Sequence, residues 1–163
     1  MNLFHQTLQI IPVKGHEHLY FNLLHFNFFK NSEKRGFLFF GRGWLLALLI
    51  VIPYILALEV INLRGKRFFV KLDERVVGIF VLREKPKTLY IDSLAVAPEH
   101  RRRGIGTYIL TYTSKLAKSI SKEWLELSVL KTNTPALQFY GKLGFIKKEE
   151  KKWSFILRKR LKH

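Results

Sequence analysis

The stretch Leu94–Leu110, LAVAPEHRRRGIGTYIL, decides the fold. It begins as the apolar end of a strand and passes through a loop containing Pro98 and three consecutive arginines. At Gly104 and Gly106 it turns into a run that reads as a helix. A helix start leaves backbone N–H groups without intrahelical partners and carries partial positive charge, so such a junction suits a phosphate group. The glycines allow close backbone approach and angles closed to other residues. Arg101, Arg102 and Arg103 add attraction for a multiply charged anion.

Upstream of this junction, Leu89–Val96, Val76–Arg83 and Arg67–Leu72 read as strands, with a hairpin turn at Asp73-Glu74. The run VVGIFVLR is apolar enough for a central position covered on both faces. Further back, His18–Lys30 reads as a helix with a wide apolar face. Thr7–Lys14 reads as a strand that Pro12 confines to a sheet edge, because proline cannot donate to the ladder. Downstream the chain gives a helix over Gly104–Ile120, a strand over Trp124–Leu130 and a short helix over Pro135–Leu143 closed by Gly144. Two final strands follow, Phe145–Lys148 and Lys152–Arg158, with the charged turn Glu149–Lys151 between them. With a second helix assigned to Gly36–Leu63, the order is β, α, α, β, β, β, α, β, α, β, β. That is an α/β chain of the α+β kind, a mixed sheet covered by helices, in a single domain over residues 1–163.

A second block lies further on: Asn133-Thr134-Pro135-Ala136-Leu137-Gln138-Phe139-Tyr140-Gly141-Lys142-Leu143-Gly144-Phe145. It resembles the N-x-x-A-x-x-F-Y-x-x-x-G-F block of the GNAT (Gcn5-related) N-acetyltransferases. Arg101–Gly106 resembles the family's R/Q-x-x-G-x-G/A signature, and Val96-Ala97-Pro98 stands upstream at the usual spacing. Both blocks fall in the family's order, and the likeness covers about Arg67 to Leu161. The resemblance implies a mostly antiparallel sheet and transfer of an acetyl or other acyl group from acetyl-CoA or another acyl-CoA to an amine. It implies that backbone amides from Arg102 through Arg103, Gly104, Ile105 and Gly106 to Thr107 hold the CoA diphosphate, with Arg101 also in the cofactor site. It further implies that Leu94, Ala95 and Val96 splay from the next strand to pair with the pantetheine arm, which Asn133 also contacts. Tyr140 is expected near the thioester sulfur, as a donor to the departing thiolate or as a packed aromatic.

The reaction needs a base for the attacking amine. Relatives that acetylate protein N-termini often carry a glutamate five residues before this asparagine, where the chain has Ser128. That departure puts N-terminal amine specificity in doubt. Glu126 lies two residues earlier on the same strand face, and Asp92 lies on the strand feeding the glycine loop. Both are candidates, as is a water relay.

From Gly36 to Leu63 only Arg42 and Glu59 are charged, and Trp44–Leu58 reads WLLALLIVIPYILAL. Fifteen residues fall short of the about 20 a membrane span needs, and Val60, Ile61 and Leu63 make the run long enough only by including Glu59 and Asn62. Pro53 can kink or break a helix. A true span stays open only if the first strand lies outside the domain, because it would otherwise part that strand from the rest of the sheet. The segment suits a broken apolar helix docked at an anionic membrane surface, at a homodimer contact, or in the core and substrate pocket.

The formal net charge is +17 over 163 residues, which attracts anions without choosing among them. Nucleic acid is disfavoured as the main partner, because the chain has no nucleic-acid-binding motif. With no cysteine, disulfides, cysteine-ligated zinc and a cysteine nucleophile are excluded, and the six histidines form no metal-binding pattern. The start MNLFHQTLQIIPVK lacks signal-peptide character. The expected location is the cytoplasm, with attachment to the cytoplasmic membrane face through the apolar segment. A non-catalytic GNAT-like domain that binds acyl-CoA as an adaptor is the competing function.

Overall fold

The computed structural model describes residues 7–30 and 65–161. The described elements are β1 (Leu8–Pro12), α1 (His18–Lys30), β2 (Lys66–Leu72), β3 (Arg75–Glu84), β4 (Thr88–Val96), α2 (Ile105–Ser119), β5 (Trp124–Leu130), α3 (Thr134–Lys142), β6 (Ile146–Glu150) and β7 (Ser154–Arg160). One seven-stranded sheet has the order β1-β2-β3-β4-β5-β7-β6. It is mostly antiparallel, with β4 and β5 paired in parallel. The expected α+β class and the strand order along the chain both hold. The helix and membrane-docking surface expected over Gly36–Leu63 lie outside the described residues. Among the described residues no helix is long and apolar enough to cross a membrane.

The described residues form two compact units, 7–30 and 65–81 with 94–106, and 82–93 with 107–161. In the first, β1 lies at the sheet edge as Pro12 requires, paired from Leu8↔Leu72 to Pro12↔Phe68. Its core gathers Phe21 of α1 with Phe69, Ile79, Val81, Ala95 and Ala97. Continuous burial from Val77 to Leu82 matches the apolar run in β3. The β2–β3 turn is made by Asp73 in a left-handed conformation (φ 53°), which aspartate tolerates better than most residues.

Helix α2 buries Ile105, Ile109, Thr113 and Ala117, one residue per turn along a single stripe, all but Ile105 in the second unit. Thr113 sits in that apolar stripe because its hydroxyl donates to the Ile109 carbonyl at 2.7 Å. Helix α3 starts at Asn133, whose side chain accepts from the Ala136 N–H at 3.2 Å. It ends at Gly144, φ +82°, where a left-handed residue terminates the helix.

The final hairpin corrects the sequence-based bounds. The strands are Ile146–Glu150 and Ser154–Arg160, and the turn falls at Lys151–Trp153, closed by the Lys151 N–H on the Ser154 carbonyl at 2.8 Å. Glu149 and Glu150 read as a turn because they are charged. They sit instead in an edge strand whose five residues are all exposed, where charge costs little and discourages pairing with other chains. The register slips between Lys147 and Glu149, leaving Lys148 as the extra residue of a bulge.

Candidate active site

Val96 ends β4, and a 3₁₀ turn over Pro98–His100 leads into the arginines. Arg101 folds back, its Nε donating to the Val96 carbonyl at 3.0 Å, so this arginine ties the loop to the strand that feeds it. Arg102 and Arg103 are exposed. Arg102 has φ 62° and Gly104 φ +85°, so the chain makes two left-handed steps before α2 begins at Ile105. Nothing lies within 4 Å of where a Cβ on Gly104 would sit, so the ground beside the helix start is clear. The first turn of α2 has no acidic residue, so its N–H groups and partial positive charge are uncompensated by a carboxylate of that turn. These features fit a diphosphate.

The β4–β5 ladder runs from Thr88↔Trp124 to Ile91↔Leu127 and stops there. Strand β5 stays paired to β7 as far as Leu130↔Ser154. Asp92 on β4 and Ser128 on β5 are thus the first residues past the end of the ladder.

Strand alternation sorts the second unit's sheet into two faces. Leu89, Ile91, Leu125, Leu127 and Val129 are buried on one. Connections between parallel strands are right-handed, which sets α2 and α3 on one face. The opposite alternation carries Tyr90, Asp92, Trp124, Glu126 and Ser128, joined by Arg158, which lies directly across from Glu126. Arg83 pairs with Asp92 at 2.5 Å. Glu126, almost fully buried, pairs with Lys148 at 2.6 Å. The bulge gives Lys148 its own place in the edge strand, from which its long side chain reaches past β7 to β5.

Tyr90 sits among these groups. Ser128 is near its hydroxyl, and its ring lies beneath Lys85 Nζ at 4.0 Å and near the Arg83 guanidinium at 5.5 Å. Burial raises its pKa, as do the negative charges of Asp92 and Glu126, so the phenol stays protonated. Burial also raises the pKa of Asp92, against the opposing pull of Arg83. The structure therefore brings both carboxylate candidates, Asp92 and Glu126, onto one face. It adds Tyr90, which the sequence did not single out because a tyrosine in a strand reads as packing. Its place two residues before Asp92 was the available clue.

Tyr140 is buried against Phe139 and Phe145, with ring centroids 5.2 and 5.5 Å away. Burial pushes its phenol up to about 12, so it is a hydrogen donor throughout the neutral range. Asn133 is exposed and spends its side-chain oxygen on capping α3. Leu94 and Val96 are half-buried, and Ala95 belongs to the first unit's core. Among the described residues no group of three or more potential ligands could hold a metal ion. An open hollow of about 390 Å³ in the first unit, between Glu17, Tyr20, Lys71 and Arg75, shares no residue with the loop or the polar face.

A sequence model of the Acetyltransferase (GNAT) family matches residues 30–145. An N-alpha-acetyltransferase of Sulfurisphaera tokodaii is 34% identical over 107 residues, 57% of this chain and 64% of that protein. An uncharacterized N-acetyltransferase of Bacillus subtilis is 38% identical over 55 residues, 34% of this chain and 22% of its own length. The chain thus spans less than two thirds of each of these relatives. Among solved structures, the PaiA N-acetyltransferase of Thermoplasma acidophilum in complex with coenzyme A superposes with a TM-score of 0.68 at 16% identity. That match covers 94% of this chain and 99% of the other. A GNAT family acetyltransferase of Elizabethkingia anophelis with acetyl-CoA bound gives 0.65 at 19% identity, covering 94% and 98%. These two likenesses bear on the fold.

Proposed function

This chain belongs to the GNAT acetyltransferase family, and from that premise we propose that it transfers an acetyl group from acetyl-CoA to an amine by direct attack on the thioester. The carrying observation is the loop into α2: two left-handed residues, a cleared glycine and a helix start without acid, all suited to the CoA diphosphate. The backbone N–H groups from Arg102 to Thr107 take the phosphate oxygens, while Arg102 and Arg103 lend charge. In the first unit, Leu94, Ala95 and Val96 offer the backbone that the pantetheine arm follows. In the second, Asn133 keeps its amide nitrogen for that arm.

The amine nitrogen attacks the thioester carbon, an oxyanion forms and is held by backbone N–H groups, and the C–S bond breaks. Asp92 takes the amine's proton. It stands where the β4–β5 ladder ends, and its burial-raised pKa makes it a stronger base than an ordinary aspartate. Glu126 is engaged by Lys148 and acts on the field of the site. Tyr140 faces the leaving sulfur. Its phenol is a weaker acid than a thiol of ordinary pKa about 8.5, so it stabilises the thiolate by donating a hydrogen bond and leaves the proton to solvent.

The test is calorimetric titration with acetyl-CoA followed by release of free CoA thiol in the presence of amines and peptides. Micromolar binding and acceptor-dependent release are expected. Failure to bind acetyl-CoA would overturn the proposal. A second reading, an acyl-CoA-binding adaptor, draws on Ser128, which stands where a carboxylate is expected. Tight binding with no acceptor-dependent release from any amine would favour it.

A further inference from the structure

Five cations gather on the polar face, Arg160 among them beside Trp124, and two are already matched. Arg83 pairs with Asp92 and Lys148 with Glu126. Lys85 acts on Asp92 only through space, and neither it nor Arg158 makes a direct ion pair among the described residues. Each rests on an aromatic ring instead, Lys85 on Tyr90 at 4.0 Å and Arg158 on Trp124 at 4.4 Å. Arg158 is half-buried, and its Nε is fully enclosed without a hydrogen-bond acceptor. An enclosed guanidinium donor left unpaired is costly; the half-buried remainder of the guanidinium is the part an incoming carboxylate meets, and a carboxylate is its natural complement. The adjacent carboxylate, Glu126, does not serve, because the bulged Lys148 holds it.

We propose that the acceptor carries an anionic group close to its amine, and that Arg158, assisted by Lys85, reads that group. The inference rests on the acyl-transfer reading of this site and names its substrate class. Geometry supplies the spacing. Ser128 and Asp92 lie at the end of the ladder, and Arg158 lies opposite Glu126, two residues back, one strand across from Ser128 and two from Asp92. At 3.3 Å per residue and 4.8 Å between strands, Arg158 is about 8 Å from Ser128 and about 12 Å from Asp92. That range suits an amine whose carboxylate sits on the side chain of the same residue or of the next one. The chemistry is shared by a peptide with aspartate or glutamate at its first or second position and by a free acidic amino acid. A peptide is the better fit because the face continues, open, along Ser128 and Leu130.

Kinetics of CoA release with matched acceptors provides the test: an acidic peptide, its Asn/Gln counterpart, free glutamate and a neutral amine. Equilibrium binding of the two peptides to the protein–CoA complex runs alongside. The acidic peptide should be favoured over its amide counterpart by about tenfold in kcat/KM and in Kd, the order of one hydrogen bond to a charged group. R158Q should abolish that preference while leaving turnover of the neutral peptide within about twofold. R158K, which keeps the charge, should restore part of it, and K85Q should reduce it. Free glutamate preferred over the peptide would assign the site to small amino acids. Equal handling of acidic and amide peptides, or a preference that survives R158Q with the variant folded, overturns the inference and leaves acyl transfer standing. If no amine is acetylated and acetyl-CoA does not bind, it is the acyl-transfer reading that fails. Binding of the two peptides to the protein alone then still decides whether Arg158 reads anions.

Discussion

Asp92 is a carboxylate held partly out of water against an arginine, and the balance tips toward its neutral form. A folded pKa raised above the unfolded value means that the ionised group costs stability. That cost is absent at low pH, appears as pH rises from the unfolded toward the folded value, and is constant above it. D92N should therefore fold well at pH 7, with a melting temperature near that of the parent, since Arg83 is exposed enough to be hydrated. Its kcat should fall about 10²- to 10⁴-fold with the KM for acetyl-CoA unchanged. The acidic limb of the pH–rate profile should disappear with it; an unchanged limb would remove Asp92 from the base role. Y140F keeps the ring packing on Phe139 and Phe145 and loses only the donor, so kcat should drop about 10- to 100-fold without loss of stability. Glu126 was legible in the sequence through alternation from Ser128, and Asp92 through its place on the strand that feeds the glycine loop. Tyr90 and Arg158 were not. Their significance comes from cross-strand register, and register is a property of pairing that one strand's sequence does not contain.

Among the elements, the loop into α2 was the most legible, because glycine at a left-handed position and arginines before a helix have local causes. Gly104 has room for a Cβ, so the penalty of a side chain there is conformational: about 1–2 kcal/mol for an L-residue held left-handed. G104V should lower the melting temperature modestly and weaken acetyl-CoA binding at least tenfold by calorimetry, because the backbone turn that aims the N–H groups is displaced. Unchanged affinity would separate the loop from the coenzyme. The hairpin β6–β7 was the least legible. Its strand is set by a bulge, and the bulge gives Lys148 a partner on β5 that no sequence pattern announces. Lys148 and Lys147 are neighbours of one type with different duties. K148M strands the buried Glu126 and should cost about 1–3 kcal/mol in urea unfolding, while K147M, whose partner Glu150 is exposed, should cost less than about 0.5. The apolar segment Gly36–Leu63 was ambiguous for a different reason: an uncharged run with a central proline satisfies a membrane interface, a dimer contact and a core equally well.

At the scale of the whole molecule the governing quantity is a net charge of +17 acting on a coenzyme that is itself a polyanion. A field of that size gathers anions from solution before any contact forms, so it belongs to the association rate. Screening shortens its reach to about 10 Å at 0.1 M salt and about 3 Å at 1 M. The association rate of acetyl-CoA, followed by stopped flow, should fall about tenfold between 0.05 and 0.5 M salt, with the dissociation rate nearly constant. A pantetheine thioester lacking phosphates should show no such dependence. Two charge-matched variants separate the global field from the local loop. R102Q/R103Q and K151Q/K152Q each remove two positive charges from exposed positions, the first pair at the start of α2 and the second at the β6–β7 turn. If the summed field steers the coenzyme, both slow association, and the loop variant also speeds release because it loses direct phosphate contacts. If only the loop variant changes either rate, attraction is local to the arginines, and the remaining charge serves another partner, of which an acidic acceptor read by Arg158 is the one the polar face anticipates.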